Sequence, residues 1–245
     1  MSYLCHCLFI VFAALPCLAW ADNPPGGQQV EISAIRDAEW GSYRRAYKAS
    51  AYFETFIRTR PLIQAHLQLR PVKDVSMEGL SLHLAGEKTS LDIAVDSIGR
   101  ATIPMLKQAY AEDAVLRLNR PAGLFYFSGR YSIKEHEGGV YDANEMRSAC
   151  EQLLSAQRES GYRIRLIGKK CAGIKYVYAL MDNGVSVSFT DTQKQMHSLP
   201  VTDNLPFEDN SMGKYKVATY RFADWPQQGQ IITLRKPLAI GTLYE

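Results

Sequence analysis

The sequence has no Lys, Arg, Asp or Glu among its first 21 residues. The apolar run in this stretch, Leu8 to Leu18, is too short to cross a bilayer, which takes roughly 20 apolar residues. It has the length of the apolar region of a secretory signal, and Ala19 and Ala21 supply the small residues that signal peptidase accepts. We therefore expect residues 1–21 to be a cleaved signal peptide, with the mature chain beginning at Asp22. The alternative is an uncleaved anchor.

Long apolar runs are otherwise absent, so we expect no transmembrane segment in the mature chain. A strong excess of one charge is absent as well, since 28 Lys and Arg face 25 Asp and Glu, a formal net charge of +3. So small an excess does not indicate nucleic acid as a partner, and export argues against it independently. The expected location is the periplasm or the outside of the cell.

Cysteine is scarce in the mature chain. Three of the five cysteines lie within residues 1–21, which leaves Cys150 and Cys171. Two cysteines in an oxidising compartment most often form a structural disulfide, and closing a loop of about 20 residues would stabilise the fold by about 3 kcal/mol. A redox pair is the alternative, although the spacing is far from the Cys-x-x-Cys of redox motifs.

Catalytic and cofactor signatures are also lacking. The sequence contains no Gly-x-Ser-x-Gly elbow, no His-Glu-x-x-His helix and no phosphate-binding glycine loop. The histidines outside the leader are His66, His83, His136 and His197, and none has partners at a spacing diagnostic of a metal site. His66 and His83 alternate with apolar residues, so we expect both on exposed strand faces. We predict no cofactor and no metal, but a Ser-His-Asp arrangement stays open because its members can be distant in the chain.

Alternation of apolar and polar residues is abundant and predicts short antiparallel strands. It is clearest at residues 63–70, 80–84 and 91–95, where residues 86–89 form a hairpin loop between the last two runs. Asn183-Gly184 predicts a type I′ turn in a second hairpin, which pairs residues 174–181 with residues 185–190. Further strand candidates are residues 114–119, 124–127, 162–166, 215–222 and 230–235.

The first of two predicted helices carries an aromatic stripe. Asp37 is its predicted N-cap, and Tyr43, Tyr47 and Phe53 recur at helical spacing along one face. The helix must end before Pro61, because proline disfavours helical geometry in the residue before it. Such a stripe is typical of a helix that docks on a sheet.

The second predicted helix is framed by capping signals. Asp142 and Glu145 match the N-cap and N3 positions of a capping box, and Gly161 stands where a C′ glycine belongs. Cys150 falls on the apolar face of this helix. A disulfide to Cys171 would therefore clamp the helix to the sheet that follows.

Together these elements predict a mainly β chain with two helices, an α+β fold of two small antiparallel β-sandwich modules. The expected divisions are the signal, 1–21, and a leader with the first helix, 22–60. The first sandwich module would span 61–135, and the second helix with a second β-rich module would span 136–245.

The two modules repeat an order of segments, which suggests an internal duplication. In each, a short strand that ends in an apolar residue and proline comes before an aromatic and acidic segment. A strand that closes with a basic residue and proline follows. The proposed counterparts are Gly99–Pro104 with Met196–Pro200, Tyr110–Asp113 with Phe222–Trp225, and Val115–Pro121 with Ile231–Pro237.

Four basic residues, Arg163, Arg165, Lys169 and Lys170, lie close together after the second helix. Alternation would place Arg163 and Arg165 on one face of a strand, beside a basic turn. Such a cluster predicts an anion-binding patch for a glycan, a lipid phosphate or an acidic partner. The alternative is an ordinary solvated sheet face.

A glycine-led strand, Gly79 to Gly86, comes before the turn Asp96-Ser97-Ile98-Gly99 and the step Ile103-Pro104. In this order, residues 77–104 resemble the carboxypeptidase-regulatory or transthyretin-like β-sandwich. The chain as a whole resembles exported bacterial proteins of unknown function. The sandwich resemblance implies an accessory, binding or structural role, and it brings no catalytic residues to transfer.

The sequence therefore predicts an exported, non-enzymatic binding or accessory protein of the cell envelope, with an unidentified envelope protein or glycan as partner. The rival prediction is a metal-independent hydrolase that acts on envelope material through a site assembled from dispersed residues.

Overall fold

The computed structural model describes residues 40–72, 75–121, 123–208 and 212–245. The described chain is mainly β with three helices, which confirms the predicted α+β class. The predicted signal, residues 1–21, and the predicted cap Asp37 lie outside the described residues.

Two long helices and one short helix interrupt the strands. The helices are α1 (Tyr43–Ile57), α2 (Lys107–Ala111) and α3 (Ala143–Gln157). In chain order the strands are β1 (Trp40–Ser42), β2 (Ile63–Pro71), β3 (Leu82–Ala85), β4 (Ser90–Ile93), β5 (Arg100–Ala101), β6 (Val115–Leu118), β7 (Phe125–Ile133), β8 (Val140–Asp142), β9 (Cys171–Tyr178), β10 (Val187–Thr190), β11 (Met196–Ser198), β12 (Val201–Asn204), β13 (Tyr215–Arg221), β14 (Gln230–Thr233) and β15 (Ala239–Tyr244).

The strands form three antiparallel sheets, two of four strands and one of seven. The four-stranded sheets have the orders β1-β6-β3-β4 and β8-β14-β10-β11. The seven-stranded sheet has the order β12-β13-β9-β15-β7-β2-β5. The predicted hairpin of β3 and β4 is confirmed, with Leu82 opposite Ile93 and Ala85 opposite Ser90.

The topology of the first half repeats in the second half. The order β1-β6-β3-β4 becomes β8-β14-β10-β11, and the order β7-β2-β5 becomes β15-β9-β13. Each half also begins with a three-residue strand that runs directly into a fifteen-residue helix. Strand β12 and helix α2 have no counterpart in the other half. The sheet topology therefore supports the predicted duplication.

One of the three predicted segment pairs falls on equivalent strands, since Val115–Pro121 contains β6 and Ile231–Pro237 covers most of β14. The aromatic and acidic segments come before these strands in each half, but Tyr110–Asp113 includes the end of helix α2, whereas Phe222–Trp225 forms a turn after β13. The third pair is wrong. Gly99–Pro104 contains β5, whereas Met196–Pro200 contains β11, the counterpart of β4. A shared ending in proline therefore does not mark equivalent strands here.

The two halves meet where β7 lies beside β15. These equivalent strands pair antiparallel, as a two-fold repeat requires, at the single position Ile133–Ile240. The seven-stranded sheet thus takes strands from both sides of the predicted boundary between residues 135 and 136. The largest buried cluster likewise joins Ile63 and Tyr131 to Tyr176 and Phe189.

The two long helices begin in different ways. Helix α1 begins at Tyr43 and not after Asp37, because residues 40–42 pair with β6 and the Tyr43 amide donates to the Ala114 carbonyl. Helix α3 has the predicted cap, since the Asp142 carboxylate accepts from the Glu145 amide at 2.9 Å. The carboxylate satisfies one of the N–H groups that a helix start leaves without a partner.

The predicted disulfide is present. Cys150, on the buried face of α3, is bonded to Cys171, the first residue of β9, with the two Cα atoms 6.0 Å apart. The bond clamps helix to sheet and closes the connection between α3 and β9, residues 158–170, into a covalent loop.

The predicted hairpin at Asn183-Gly184 is wrong. Strand β9 pairs with β13 and β15, whereas β10 pairs with β11 and β14. Residues 179–186 therefore cross from one sheet to another. The Gly184 amide donates to the Asp182 carboxylate at 2.9 Å, so a turn does form at the predicted place. It does not join a hairpin, because β9 and β10 each pair with other strands along both edges.

Candidate anion-binding site

The seven-stranded sheet opens into a cleft beside the junction of the two halves. Beyond the pair Ile133–Ile240, residues 128–131 of β7 and residues 242–244 of β15 line one cavity of about 500 Å³. The connection between α3 and β9 and the segment after β12 complete its lining. Two equivalent strands that separate after one contact therefore create the cleft.

Basic residues outnumber acidic residues in the described lining of this cleft. Its lining contains five basic residues and, among the described residues, a single acidic one, Glu208. The basic residues are Arg70, Arg130, Arg165, Lys169 and Lys175. They come from β2, β7, the α3–β9 connection and β9. Basic residues from distant parts of the chain therefore lie close together in the cleft, where the low dielectric of the surrounding protein strengthens their electrostatic field.

Lys175 is the most unusual of the basic residues because it is buried, with 8% of its surface exposed. Its Nζ donates to the Leu205 carbonyl at 3.2 Å, and among the described residues no carboxylate lies within ion-pair distance. Burial lowers the pKa of the ammonium, and the Glu208 carboxylate opposes that shift. An ammonium has three N–H donors, so Lys175 retains hydrogen-bonding capacity for a further acceptor.

Glu208 does not neutralise Lys175 by direct contact. Its Oε1 accepts a hydrogen bond from the Thr242 hydroxyl at 2.8 Å. This bond holds the carboxylate of Glu208, an exposed residue, to β15 at the rim of the cleft. The positive charge of Lys175 therefore stays available to a bound anion.

Two hydroxyls add neutral hydrogen-bonding groups. Ser128 Oγ and Tyr131 OH are buried, and within hydrogen-bond distance neither has a partner among the described residues. Burial raises the pKa of Tyr131 to about 12, and the neighbouring Ser160 hydroxyl opposes this shift. A buried hydroxyl without a partner is destabilising unless a ligand or ordered water completes it.

The predicted basic patch is only partly beside the cleft. All four residues are exposed, and two of them, Arg165 and Lys169, also line the cleft. The prediction that Arg163 and Arg165 lie on a strand is wrong. Residues 158–162 form a wide π-type turn and residues 163–166 a 3₁₀ turn.

The reason for this turn structure is local. Gly161 adopts φ +105°, which breaks the extension of α3, and Arg158 donates to the carbonyls of Leu166 at 3.3 Å and Lys169 at 2.6 Å. Alternation over so few residues cannot distinguish a strand from a tight turn.

Arg70, Arg130, Ser128 and Tyr131 are site residues that the sequence did not reveal. They belong to the first half of the chain and meet the second half only because β7 lies beside β15. No motif or spacing connects them with Lys175. Only the strand order could have identified them.

His66 is also placed differently from the prediction. It is partly buried rather than exposed, and its Nε2 has no hydrogen-bond partner in the described part of the chain. Burial and then the Arg100 guanidinium lower the pKa of His66, the carboxylates of Glu135 and Asp96 raise it, and the net result is a pKa of about 4. The imidazole is therefore neutral near pH 7.

Arg100 anchors the network beside His66. Its side chain is 9% exposed and donates to Asp96 at 2.7 Å, to Glu135 at 2.9 Å and to the Leu238 carbonyl at 2.6 Å. These bonds link β5, the end of β7 and the start of β15. Because groups from both halves of the chain hydrogen-bond the buried guanidinium, it helps to fix the arrangement of the two halves.

A Ser-His-Asp arrangement does occur, on the hairpin of β3 and β4. His83 Nδ1 lies 2.7 Å from Asp92 Oδ1, and His83 Nε2 lies 3.3 Å from Ser90 Oγ. The Asp92 side chain is 93% exposed, and Ser90 is exposed as well. Water therefore has free access, whereas a catalytic triad depends on a buried carboxylate and an ordered site.

Other histidines form isolated pairs. His136 lies 3.2 Å from Glu145 and His197 lies 3.7 Å from Asp191. Among the described residues no group of three or more His, Cys, Asp or Glu side chains is arranged to hold a metal ion. In the same part of the chain, no helix has the length and apolar character needed to span a bilayer.

Comparison of the chain with protein-family models, with curated proteins and with solved structures finds no match. The resemblance of residues 77–104 to a transthyretin-like sandwich therefore stays a prediction. Within that range the structure contains β3, β4 and β5.

Proposed function

We propose that this protein is an exported, non-enzymatic binding or accessory factor of the cell envelope, whose cleft between β7 and β15 holds an anionic group of an envelope glycan or protein. The observation that carries the proposal is Lys175. A cation buried beside one carbonyl, and without an ion-pair partner in the described chain, is expensive unless an anion completes it.

The lining of the cleft defines the chemistry of the ligand. The exposed Arg165 and Lys169 attract negative charge, and the buried Lys175 supplies a charge-assisted hydrogen bond. The free hydroxyls of Ser128 and Tyr131 add neutral contacts. A carboxylate or phosphate group attached to a larger polar molecule fits this combination.

The hydrolase alternative has less support. Its candidate residues, Ser90, His83 and Asp92, lie on an open hairpin where water is not excluded. The cleft itself places cations and hydroxyls together without a nucleophile beside a general base. The geometry therefore favours binding over turnover.

Isothermal titration with inorganic phosphate, pyrophosphate and citrate tests the proposal. We expect the mature chain to bind at least one of these anions above a chloride background of equal ionic strength. Arg165→Gln and Lys169→Gln should each weaken binding about tenfold, the usual effect of removing one charged hydrogen bond. Titrations should be repeated at higher salt, where exposed charges contribute less.

Lys216→Gln is the matched control, because Lys216 lies on the adjacent strand β13 and pairs with Asp203 at 2.6 Å, outside the cleft. It should bind as the wild type does. Absence of binding to all three anions, or equal affinity in the cleft variants and the wild type, would refute the proposal.

A further inference from the structure

The connection between α3 and β9 is longer than the fold requires. In the first half, five residues (58–62) join α1 to the equivalent strand β2. In the second half, thirteen residues (158–170) join α3 to β9. Since the two halves share one topology, the additional residues serve something other than the connection itself.

The outer part of this connection combines exposed apolar side chains with positive charge. Ile164 is 84% exposed, Ile167 is 74% exposed and Tyr162 is 37% exposed. Four exposed cations are interleaved with them: Arg163, Arg165, Lys169 and Lys170. Residues 160–170 contain no Asp or Glu. We refer to residues 162–170 as the basic tip.

The turn geometry places the two isoleucines on the same side. Ile164 lies in the 3₁₀ turn 163–166 and Ile167 caps it three residues later, and residues i and i+3 of a 3₁₀ turn lie on one side. The Ile167 amide faces the Ile164 carbonyl at 3.5 Å. The tip therefore presents a small aliphatic surface rather than scattered apolar atoms.

The basic tip is fixed to the rest of the fold. The exposure of its isoleucines therefore does not result from a loosely packed loop. Leu166 is buried, and Arg158 donates to the carbonyls on both sides of Ile167. Lys170 exchanges backbone hydrogen bonds with Glu245, at 2.7 and 3.0 Å, and the next residue is the disulfide-bonded Cys171. A fixed surface of this kind costs free energy in water unless a partner covers it.

We propose that the basic tip docks on a membrane whose lipids carry net negative charge, with Ile164 and Ile167 entering the acyl boundary. Arg163 and Lys170 would contact headgroup phosphates. Aliphatic side chains offer no hydrogen bonds to a glycan, whereas alternating aliphatic and cationic residues match the boundary between acyl chains and anionic headgroups. The long stems of Arg and Lys can follow that boundary while their charges stay hydrated.

The basic tip and the cleft share residues, because Tyr162, Arg165, Leu166 and Lys169 also line the cleft. Ile164, Ile167, Arg163 and Lys170 lie outside that lining, and Lys175 lies inside it. Substitutions at the first four should therefore weaken membrane docking and leave anion binding in the cleft unchanged, whereas Lys175→Met should do the reverse.

Vesicle co-sedimentation of the mature chain tests the inference. We expect binding to vesicles that contain phosphatidylglycerol to exceed binding to pure phosphatidylcholine by about tenfold or more, and to weaken with salt. The double variant Ile164→Ser with Ile167→Ser should lose about tenfold in binding to the anionic vesicles. Arg163→Gln with Lys170→Gln should weaken binding and reduce its salt dependence.

Met181→Ser is the matched control, because Met181 has the same exposed fraction, 84%, outside the basic tip. It should bind vesicles as the wild type does, and so should Lys175→Met. Equal binding to both kinds of vesicle, or unchanged binding after substitution of both isoleucines, overturns the inference. Equal losses in Met181→Ser and the isoleucine variant would do the same, since the effect would then be general to exposed apolar residues.

Discussion

At the scale of single residues, Lys175, on which the proposed function rests, shows how a buried side chain can have the sequence pattern of a surface residue. It stands between Ile174 and Tyr176, as a polar residue does in a half-buried strand. In the folded chain β9 is a central strand, and its residues 173–178 are all buried, so both of its faces are covered. Sequence alternation predicted the strand but could not predict which polar residue would be buried.

His66 is a residue of the same kind, and it gives a prediction about acid stability. Its pKa is about 4 in the folded protein and 6.5 in the ordinary imidazole. The unfolded chain therefore binds the additional proton first, and folding stability should fall as pH drops from about 6.5 to about 4. The loss attributable to His66 is at most about 3 kcal/mol.

Urea unfolding at a series of pH values measures this effect. In His66→Gln the fall in unfolding free energy between about pH 6.5 and pH 4 should be smaller than in the wild type, because the variant has no imidazole to protonate there. Parallel slopes in His66→Gln and the wild type would show that His66 does not couple folding to pH.

At the scale of elements, the two equivalent helices give an internal comparison. Asp142 caps α3 through its carboxylate, whereas Ser42, at the equivalent position of α1, makes no side-chain capping bond. Asp142→Ala should therefore lower the free energy of unfolding by about 1 kcal/mol. Ser42→Ala should stay within about 0.5 kcal/mol of the wild type.

Thermal or denaturant unfolding of both variants checks this prediction. A loss in Ser42→Ala as large as that in Asp142→Ala would contradict it, because the cost would then not depend on the capping bond. The capping signal of α3 was visible in the sequence because Asp142 and Glu145 form a local pattern. The start of α1 was not, because it depends on pairing between residues far apart in the chain, β1 with β6.

The failed hairpin has a similar cause. Asn183-Gly184 is a strong local turn signal, but β9 already has two neighbours in one sheet and β10 has two in another. Local turn chemistry was predictable, while the choice of strand partners was set by packing of the whole chain. The hairpin of β3 and β4, where β4 has a free outer edge in its sheet, followed its local signal.

At the scale of the whole molecule, the repeated topology explains the position of the cleft. Two copies of one topology join through the equivalent strands β7 and β15, which pair at one position and then separate. The order of segments in the sequence hinted at the repeat. The cleft could not be predicted, because its basic residues come from both copies and share no motif.

The asymmetries between the two halves coincide with the two sites that we propose. The second half has the longer α3–β9 connection, which carries Arg165 and Lys169 to the cleft and the isoleucines to the surface. It also has the disulfide that closes this connection into a loop. The equivalent connection of the first half has neither feature.

The most direct test of the central claim compares Lys175→Met with the wild type in thermal unfolding, with and without pyrophosphate. Removing a buried cation without an ion-pair partner should leave the unfolding free energy unchanged or raise it by about 1–2 kcal/mol. The same variant should lose the stabilisation that pyrophosphate gives the wild type. A variant that is less stable yet gains as much from pyrophosphate as the wild type would contradict the claim that Lys175 is kept to hold an anion.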